Sequence, residues 1–125
     1  MDGKSGQRRF KRFIVRTINL EDGMPTVVQA RAQLASELRA ARQQGIGVLK
    51  LIHGYGSSGA GGDLRIAIQS TLRQMADRGE IRDCIFGENW CKSDEHAWAL
   101  LKRSPELKED RDLGRGNRGI TVVLL

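Results

Sequence analysis

The sequence predicts an α/β domain in which four strands alternate with helices. Stretches rich in β-branched residues predict the strands, and the segments between them repeat apolar residues at helical spacing. The order is β-α-β-α-β-α-β. Its first two crossovers imply right-handed parallel connections, with helices covering at least one face of the sheet. At 125 residues the chain is long enough for one domain with its own hydrophobic core.

The first strand is predicted over residues 13–20, where Phe-Ile-Val-Arg-Thr-Ile-Asn-Leu favours extended backbone. The turn-forming residues 21–25 end it, and Thr26 is a suitable N-cap for the helix that follows. Gly45 ends that helix. One helical stripe collects the apolar residues Val27, Ala30, Leu34, Leu38 and Ala41.

The second strand is predicted over residues 48–52. Both of its faces are apolar, which favours an inner, parallel position, and Arg16 and Lys50 are expected at edge or rim positions of the sheet. Asp63 is expected to cap the second helix, and a third strand follows over residues 81–86. The buried stripe of the second helix is Leu64, Ala67, Ile68, Thr71, Leu72 and Met75.

The last third of the chain predicts a short helix, a loop and a strand. Ser93 is expected to cap the helix, which ends at Arg103, and Ser104-Pro105 predicts one more helical turn. Residues 110–119 are charged and glycine-rich and predict a loop before a final strand over 120–125. Residues 1–12 are polar and basic and are expected to form a flexible arm before a domain over 13–125.

The chain is basic, with 21 Lys and Arg against 15 Asp and Glu, a net charge of +6 and a pI near 9.9. This excess favours polyanionic partners, of which nucleic acid is the commonest. No apolar stretch approaches the ~20 residues needed to cross a bilayer, and no secretory signal is present. Cys84 and Cys91 match neither Cys-x-x-Cys nor zinc-finger spacing. A reduced, cytoplasmic protein without a membrane partner is therefore expected.

A loop that is mostly glycine and serine follows the second predicted strand and precedes the second helix. Glycines leave backbone N–H groups uncovered, so a loop in this place is suited to holding a phosphate. His53 stands at its lip and is the residue there that can move a proton near neutral pH. The candidate phosphate-binding residues of the loop are Gly54, Tyr55, Gly56, Ser57, Ser58, Gly59 and Gly61.

An acidic pair and a histidine end the first two predicted strands. Glu21 and Asp22 follow the first strand and His53 follows the second. If these strands are parallel neighbours, their C-terminal ends share the edge where such sheets place ligands. Glu21, Asp22 and His53 are therefore candidate catalytic residues. The alternative is that residues 21–23 are only a turn and that His53 only ends a strand.

A second candidate site precedes the last strand, where residues 114–119 are Gly-Arg-Gly-Asn-Arg-Gly. Arg115, Asn117 and Arg118 on a pliable loop suit contacts to phosphates and bases. The alternative is an exposed turn whose charges are only solvated.

Residues 54–59 also match the letters G-x-G-x-x-G of dinucleotide-binding loops. The predicted helix begins too late for that motif, and Glu88 lies beyond the ~20 residues at which a ribose-binding acid is expected. A P-loop is excluded because no Lys-Ser or Lys-Thr follows the glycines. An enzyme that holds a nucleotide cofactor here is the least favoured of three functional hypotheses.

His53-Gly54-Tyr55-Gly56, the later glycines and Leu64-Arg65 resemble the HGxGxG…LR signature of the small MutS-related (Smr) domain family. Residues 116–124 are similar to the glycine-rich entry and last strand of that family. The resemblance spans about residues 13–125. It implies a two-layer α/β sandwich similar to the C-terminal domain of bacterial translation initiation factor three. The sandwich would have a four-stranded mixed sheet, two main helices and a short inserted helix, which belongs to an insertion at about residues 90–112.

The resemblance also implies binding of DNA or RNA, with nicking or RNA-cleaving endonuclease activity in several members. The family's first strand usually ends in L-D-x-H-G, and this chain departs from that pattern. Asn19 takes the place of the aspartate and the motif's histidine is missing. The acidic pair Glu21-Asp22 stands at the strand end instead.

Two further hypotheses follow from the resemblance. An Smr-type nuclease, a hydrolase, would use His53 as general acid or base. Glu21 or Asp22 would orient it or hold Mg²⁺ or Mn²⁺, and the loop amides with Arg65 and Arg118 would hold the phosphate. A binding module would use the same surface without chemistry, which the missing first-strand histidine favours.

Overall fold

The computed structural model describes residues 14–55 and 60–125, and its elements follow the predicted order. The predicted arm over residues 1–12 and the loop residues Gly56, Ser57, Ser58 and Gly59 lie outside the described residues. The strands are β1 (Ile14–Asn19), β2 (Ile46–Ile52), β3 (Asp83–Phe86) and β4 (Ile120–Leu124). The helices are α1 (Val27–Gln43), α2 (Ala60–Asp77) and α3 (Glu95–Arg103), with 3₁₀ turns at Gly87–Asn89 and Pro105–Glu109.

The four strands form one mixed sheet in the order β1-β2-β4-β3. β1 and β2 are parallel neighbours and β2 is an inner strand, which confirms both predictions. β4 lies between β2 and β3 and is antiparallel to both, pairing Ile120 with Ile52. The chain therefore enters β4 at the edge of the sheet where β1 and β2 end. Residues from three distant parts of the sequence meet at this edge.

Helices α1 and α2 pack on one face of the sheet, because alternate strand residues such as Leu49 and Leu51 point their apolar side chains at the helical stripes. The predicted α/β sandwich is confirmed. The predicted inserted segment covers the opposite face, where Trp90 and Leu101 pack against Val48. In the part of the chain that the structure describes, no helix is long and apolar enough to span a membrane.

Of the three N-cap residues predicted from the sequence, one is confirmed by the structure. Thr26 caps α1, and a capping box with Gln29 is present, with hydrogen bonds of 2.9 and 3.1 Å. The prediction for Asp63 is wrong, because α2 begins at Ala60 and Asp63 lies in its first turn. The prediction for Ser93 is wrong by one residue, because the carboxylate of Asp94 accepts from the N–H of Ala97 at 2.9 Å.

The prediction of a rim position is wrong for Lys50, which is only 7% exposed on the inner strand β2. Arg16 does lie on the edge strand β1, as predicted.

The loop before β4 and the end of β3 approach each other closely at Gly87. A Cβ at Gly87 would lie 1.7 Å from the carbonyl oxygen of Asn117, so only glycine allows the loop to approach this closely.

Candidate nucleic-acid interface

Backbone hydrogen bonds hold together the edge at which β1 and β2 end and β4 begins. The side chain of Asn19 accepts from the backbone N–H groups of Glu21 and Asp22, both at 3.0 Å, which turns the chain as β1 ends. The carbonyl of Gly119 accepts from the N–H groups of His53 at 2.9 Å and Gly54 at 3.1 Å. The strand ends and the loop before β4 are thus joined.

The sequence places His53 at the lip of the glycine loop as a residue that can move a proton, which needs a ring open to solvent. This expectation is wrong, because the ring is fully buried. Its Nδ1 lies 2.7 Å from the carbonyl oxygen of Gly54. That oxygen can only accept, so Nδ1 carries the proton. Nε2 lies 2.9 Å from the hydroxyl of Thr121 and then accepts its proton, while the amide nitrogen of Gln69 lies 3.5 Å from the same hydroxyl. Both ring nitrogens are occupied, and the imidazole is neutral.

The electrostatic setting of His53 also favours the neutral ring. Burial lowers its pKa, and the positive charge of Arg65 lowers it further. The hydrogen bond to Gly54 and the charges of Glu21 and Glu88 raise the pKa but do not offset these effects. The ring is therefore built into the structure in a neutral form.

The stability of the fold should fall in mild acid because of this ring. A pKa below the unfolded value of 6.5 means that His53 contributes stability above pH 6.5, which is lost as the pH falls toward the folded pKa. In urea titrations between pH 7.5 and 5, the free energy of unfolding should fall more steeply for the wild type than for His53→Gln.

The other described histidine provides an internal comparison. The hydrogen bond that Nδ1 of His96 donates to the carboxylate of Asp83 raises the pKa of His96. The contribution of His96 to stability therefore has the opposite sign: it is present below pH 6.5 and is lost as the pH rises through the folded pKa. The contribution of His96 is the same in the wild type and in His53→Gln, so it cancels in the difference between their free energies of unfolding. Equal slopes for wild type and His53→Gln would contradict the neutral, buried assignment.

The predicted acid–histidine pair is only partly assembled. Glu21 lies beside Gly54, since a Cβ on that glycine would be 2.2 Å from Oε2 of Glu21. Glu21 lines a groove at this edge that the ring of His53 does not line, and no hydrogen bond joins the two in the described residues. Asp22 is exposed and lines none of the grooves described here.

The groove beside Glu21, about 530 Å³ in volume, is called the carboxylate groove below. Glu21, Asp110 and Asp112 line it, together with Lys50 and Arg111. From the sequence, phosphate-binding residues are expected at this edge, beside His53 and the glycines. The groove itself does not suit phosphate, because the loop before β4 brings two aspartates to it.

Lys50 joins this loop to the sheet. Its ammonium donates to Asp110 at 2.9 Å and to Asp112. Asp110 also accepts from the indole N–H of Trp90 at 2.9 Å, and Asp112 accepts from the amide of Asn117 at 3.0 Å. Two half-buried carboxylates are thereby paired with one inner-strand cation.

The pKa shifts show which interactions control this network. Burial alone would lower the pKa of Lys50, but the hydrogen bonds to Asp110 and Asp112 together raise it above 10.5. Burial would raise the pKa of Asp112, but the hydrogen bonds from Lys50 and Asn117 hold it below 3.8. Lys50 and Asp112 are therefore both charged near neutral pH.

Asn117, predicted to contact nucleic acid, is engaged inside its own loop. Its amide nitrogen donates to Asp112, and its side-chain oxygen accepts from the N–H of Gly119 at 2.8 Å. The side chain therefore holds the loop in shape, and its hydrogen-bonding groups are already used.

A second groove of about 360 Å³, here called the arginine groove, is lined by Tyr55, Arg115, Gly116, Asn117 and Arg118. Tyr55 is 59% exposed, and its ring rests against Gly119, where a Cβ would lie 3.4 Å from Cδ1. Arg115 and Arg118 are exposed, and within the described residues their side chains make no ion pair or hydrogen bond. The structure thus brings the predicted residues Tyr55, Arg115 and Arg118 together.

Arg65 lies apart from these two grooves. Its guanidinium is 3.4 Å from Glu88, and its Nε is buried without a hydrogen-bond partner among the residues described. Gly61 lies in the first turn of α2.

The structure offers no metal site among the residues it describes. Over residues 14–55 and 60–125, no group of three His, Cys, Asp or Glu side chains could hold a metal ion.

The partners that determine this site were not predicted from the sequence. The one available signal was Lys50 inside an apolar strand, because a lysine on an inner strand needs a carboxylate partner from elsewhere in the chain. The sequence analysis instead placed Lys50 at the rim, so its partners Asp110 and Asp112 were missed. No comparable signal singles out Thr121 or Gln69, because a polar residue in a strand or helix has many other uses.

The family model of the Smr domain matches residues 22–88, and the chain therefore belongs to the Smr family. This confirms the resemblance noted in the sequence. Smr domains are nucleic-acid-binding and nuclease-type modules. The matched residues include His53 and Arg65, whereas Glu21, Arg115 and Arg118 lie outside them.

The fold is similar to the crystal structure of the Smr domain of Thermus thermophilus MutS2, with a TM-score of 0.53 and 24% sequence identity. The alignment covers 88% of this chain and 96% of that chain. At this identity the likeness shows the fold alone. A comparison with curated proteins found no match.

Proposed function

We propose that this chain binds DNA or RNA through the arginine groove. The observation that carries the proposal is the placement of two unpaired cations, Arg115 and Arg118, beside the exposed ring of Tyr55. Guanidinium groups bind phosphates through charge-assisted hydrogen bonds, and an exposed aromatic ring offers a stacking surface for a base. The net charge of +6 would assist the approach of a polyanion.

The rigid support of the groove favours the same proposal. Lys50 donates to Asp112, and Asp112 accepts from Asn117, which shapes the loop that carries both arginines. A loop fixed before binding loses less conformational entropy when it meets its ligand. The phosphate-binding role of the glycine loop remains a prediction, since residues 56–59 lie outside the described range.

Cleavage is the second candidate function, and one observation favours it. The carboxylate of Glu21 lies beside Gly54 and raises the pKa of the neighbouring His53. A general acid or base must reach the proton that it transfers. Nε2 of His53 would first have to leave Thr121, and the ring would have to become exposed. We therefore propose a binding module and assign His53 a structural role.

Two assays on the purified chain test this choice. Fluorescence anisotropy with labelled single strands and duplexes should show binding that weakens as salt concentration rises. Supercoiled plasmid and single-stranded RNA should remain intact after long incubation, with or without Mg²⁺ or Mn²⁺. Absence of binding to any of these nucleic acids would contradict the proposal. Cleavage that disappears in His53→Ala would replace it with the nuclease hypothesis.

A further inference from the structure

We infer that the carboxylate groove binds an unpaired base of the nucleic acid, and that Glu21 selects guanine there. This inference rests on the proposed function and names the substrate as a single-stranded segment. The carboxylate groove and the arginine groove are adjacent, because Tyr55 and Asn117 line both. A strand whose phosphates lie on Arg115 and Arg118 can therefore place a base in the carboxylate groove.

The charges of the two grooves assign them different parts of a nucleotide. Phosphate is attracted to the two cations of the arginine groove. The carboxylate groove sets three carboxylates against two cations, so its net negative charge disfavours phosphate. The N–H groups on a base edge are hydrogen-bond donors and suit a carboxylate acceptor. At about 530 Å³, the carboxylate groove is within the roughly 300–1,000 Å³ of small-molecule pockets.

Glu21 is the carboxylate that the described residues leave available in this groove. Asp110 already accepts from Lys50, from Trp90 and from the N–H of Asp112 at 3.2 Å. Asp112 already accepts from Lys50 and Asn117. Within the described residues, the side chain of Glu21 has no hydrogen bond or ion pair. Its two oxygens can therefore accept from an incoming base.

The two carboxylate oxygens of Glu21 match a particular base edge. Guanine presents two adjacent N–H donors on its Watson–Crick edge, and a carboxylate can accept both side by side. Adenine and cytosine present one exocyclic amino group there beside a ring nitrogen that only accepts. The Watson–Crick edge of guanine is free only in an unpaired nucleotide, which requires a single strand, a loop or a flipped base. Tyr55 supplies the neighbouring stacking surface.

The test compares labelled thymidine strands of about twelve nucleotides by fluorescence anisotropy. One strand is all thymidine, and the others carry a single central guanine, cytosine or abasic nucleotide. The wild type should bind the guanine strand about five- to tenfold more tightly than the thymidine strand. Glu21→Gln should reduce that ratio to less than twofold. Tyr55→Ala should weaken binding of every strand that carries a central base, and should affect the abasic strand least.

The matched control is Asp22→Asn, which removes the same charge from an exposed neighbour that does not line the groove. Asp22→Asn should keep the wild-type ratio of affinities for the guanine strand and the thymidine strand, called the guanine ratio below. Equal affinity of the wild type for all four strands, with normal salt dependence, would overturn this inference and leave the proposed function intact. A guanine ratio that survives Glu21→Gln would also overturn it. Absence of binding to every strand would instead remove the proposed function.

Discussion

Replacing Arg115 and Arg118 together by glutamine should weaken binding of a single-stranded oligonucleotide by about tenfold or more near 100 mM salt. Both side chains are exposed, lack partners in the described residues and line one groove. Each phosphate of a single strand that the protein neutralises adds about 0.7 to the slope of log affinity against log salt. Without the two arginines the slope should therefore flatten by about 1.4, as measured by anisotropy over a salt series.

The matched control for this double variant is Arg39→Gln with Lys102→Gln. These two exposed cations lie on α1 and α3, so the net charge changes by the same amount without touching the groove. Its affinity should stay within about twofold of the wild type. Equal losses in both double variants would show that net charge, and not the arginine groove, controls binding.

Replacing Lys50 by methionine should lower the free energy of unfolding by about 3 kcal/mol. The change leaves Asp110 and Asp112 together in a largely buried site without their cation. Guanidinium denaturation at pH 7 measures the effect. Adding Asp110→Asn and Asp112→Asn to Lys50→Met should restore part of the stability, because the uncompensated charges are then gone.

The surface control is Lys102→Met, which should change stability by no more than about 0.5 kcal/mol. Lys50→Met should also weaken oligonucleotide binding under conditions where it remains folded, since Lys50 holds the loop that carries the arginines. A stability for Lys50→Met equal to that of the control would contradict the role of Lys50 in this network.

Patterns that are local in the chain predicted the fold well. The capping box at Thr26 and Gln29 needs only a few neighbouring residues, and the alternation of strands and helices follows from apolar spacing. The insertion of β4 between β2 and β3 was not predicted, because it pairs residues far apart in the sequence. The start of α1 was predicted correctly, whereas those of α2 and α3 were off by four residues and one residue, since several side chains in each region can cap.

Several residues of the arginine groove were singled out from the sequence, but the side-chain network that supports the groove was not. Tyr55, Arg115 and Arg118 were singled out from local composition and do meet in one groove. The burial of His53 depends on Thr121, which lies 68 residues further along. The burial of Lys50 depends on Asp110 and Asp112 in the same way. Sequence patterns within one segment cannot show contacts between residues that lie so far apart in the chain.

The central claim is that the arginine groove binds nucleic acid. Its most direct test is a titration of the ¹⁵N-labelled chain with a single-stranded oligonucleotide, monitored through NMR chemical shifts. We expect the largest changes on the amides of Tyr55 and residues 115–118. His53 should keep its neutral Nδ1–H tautomer throughout. Changes confined to the opposite end of the sheet, or none at a ligand excess that saturates binding, would contradict the assignment of the arginine groove.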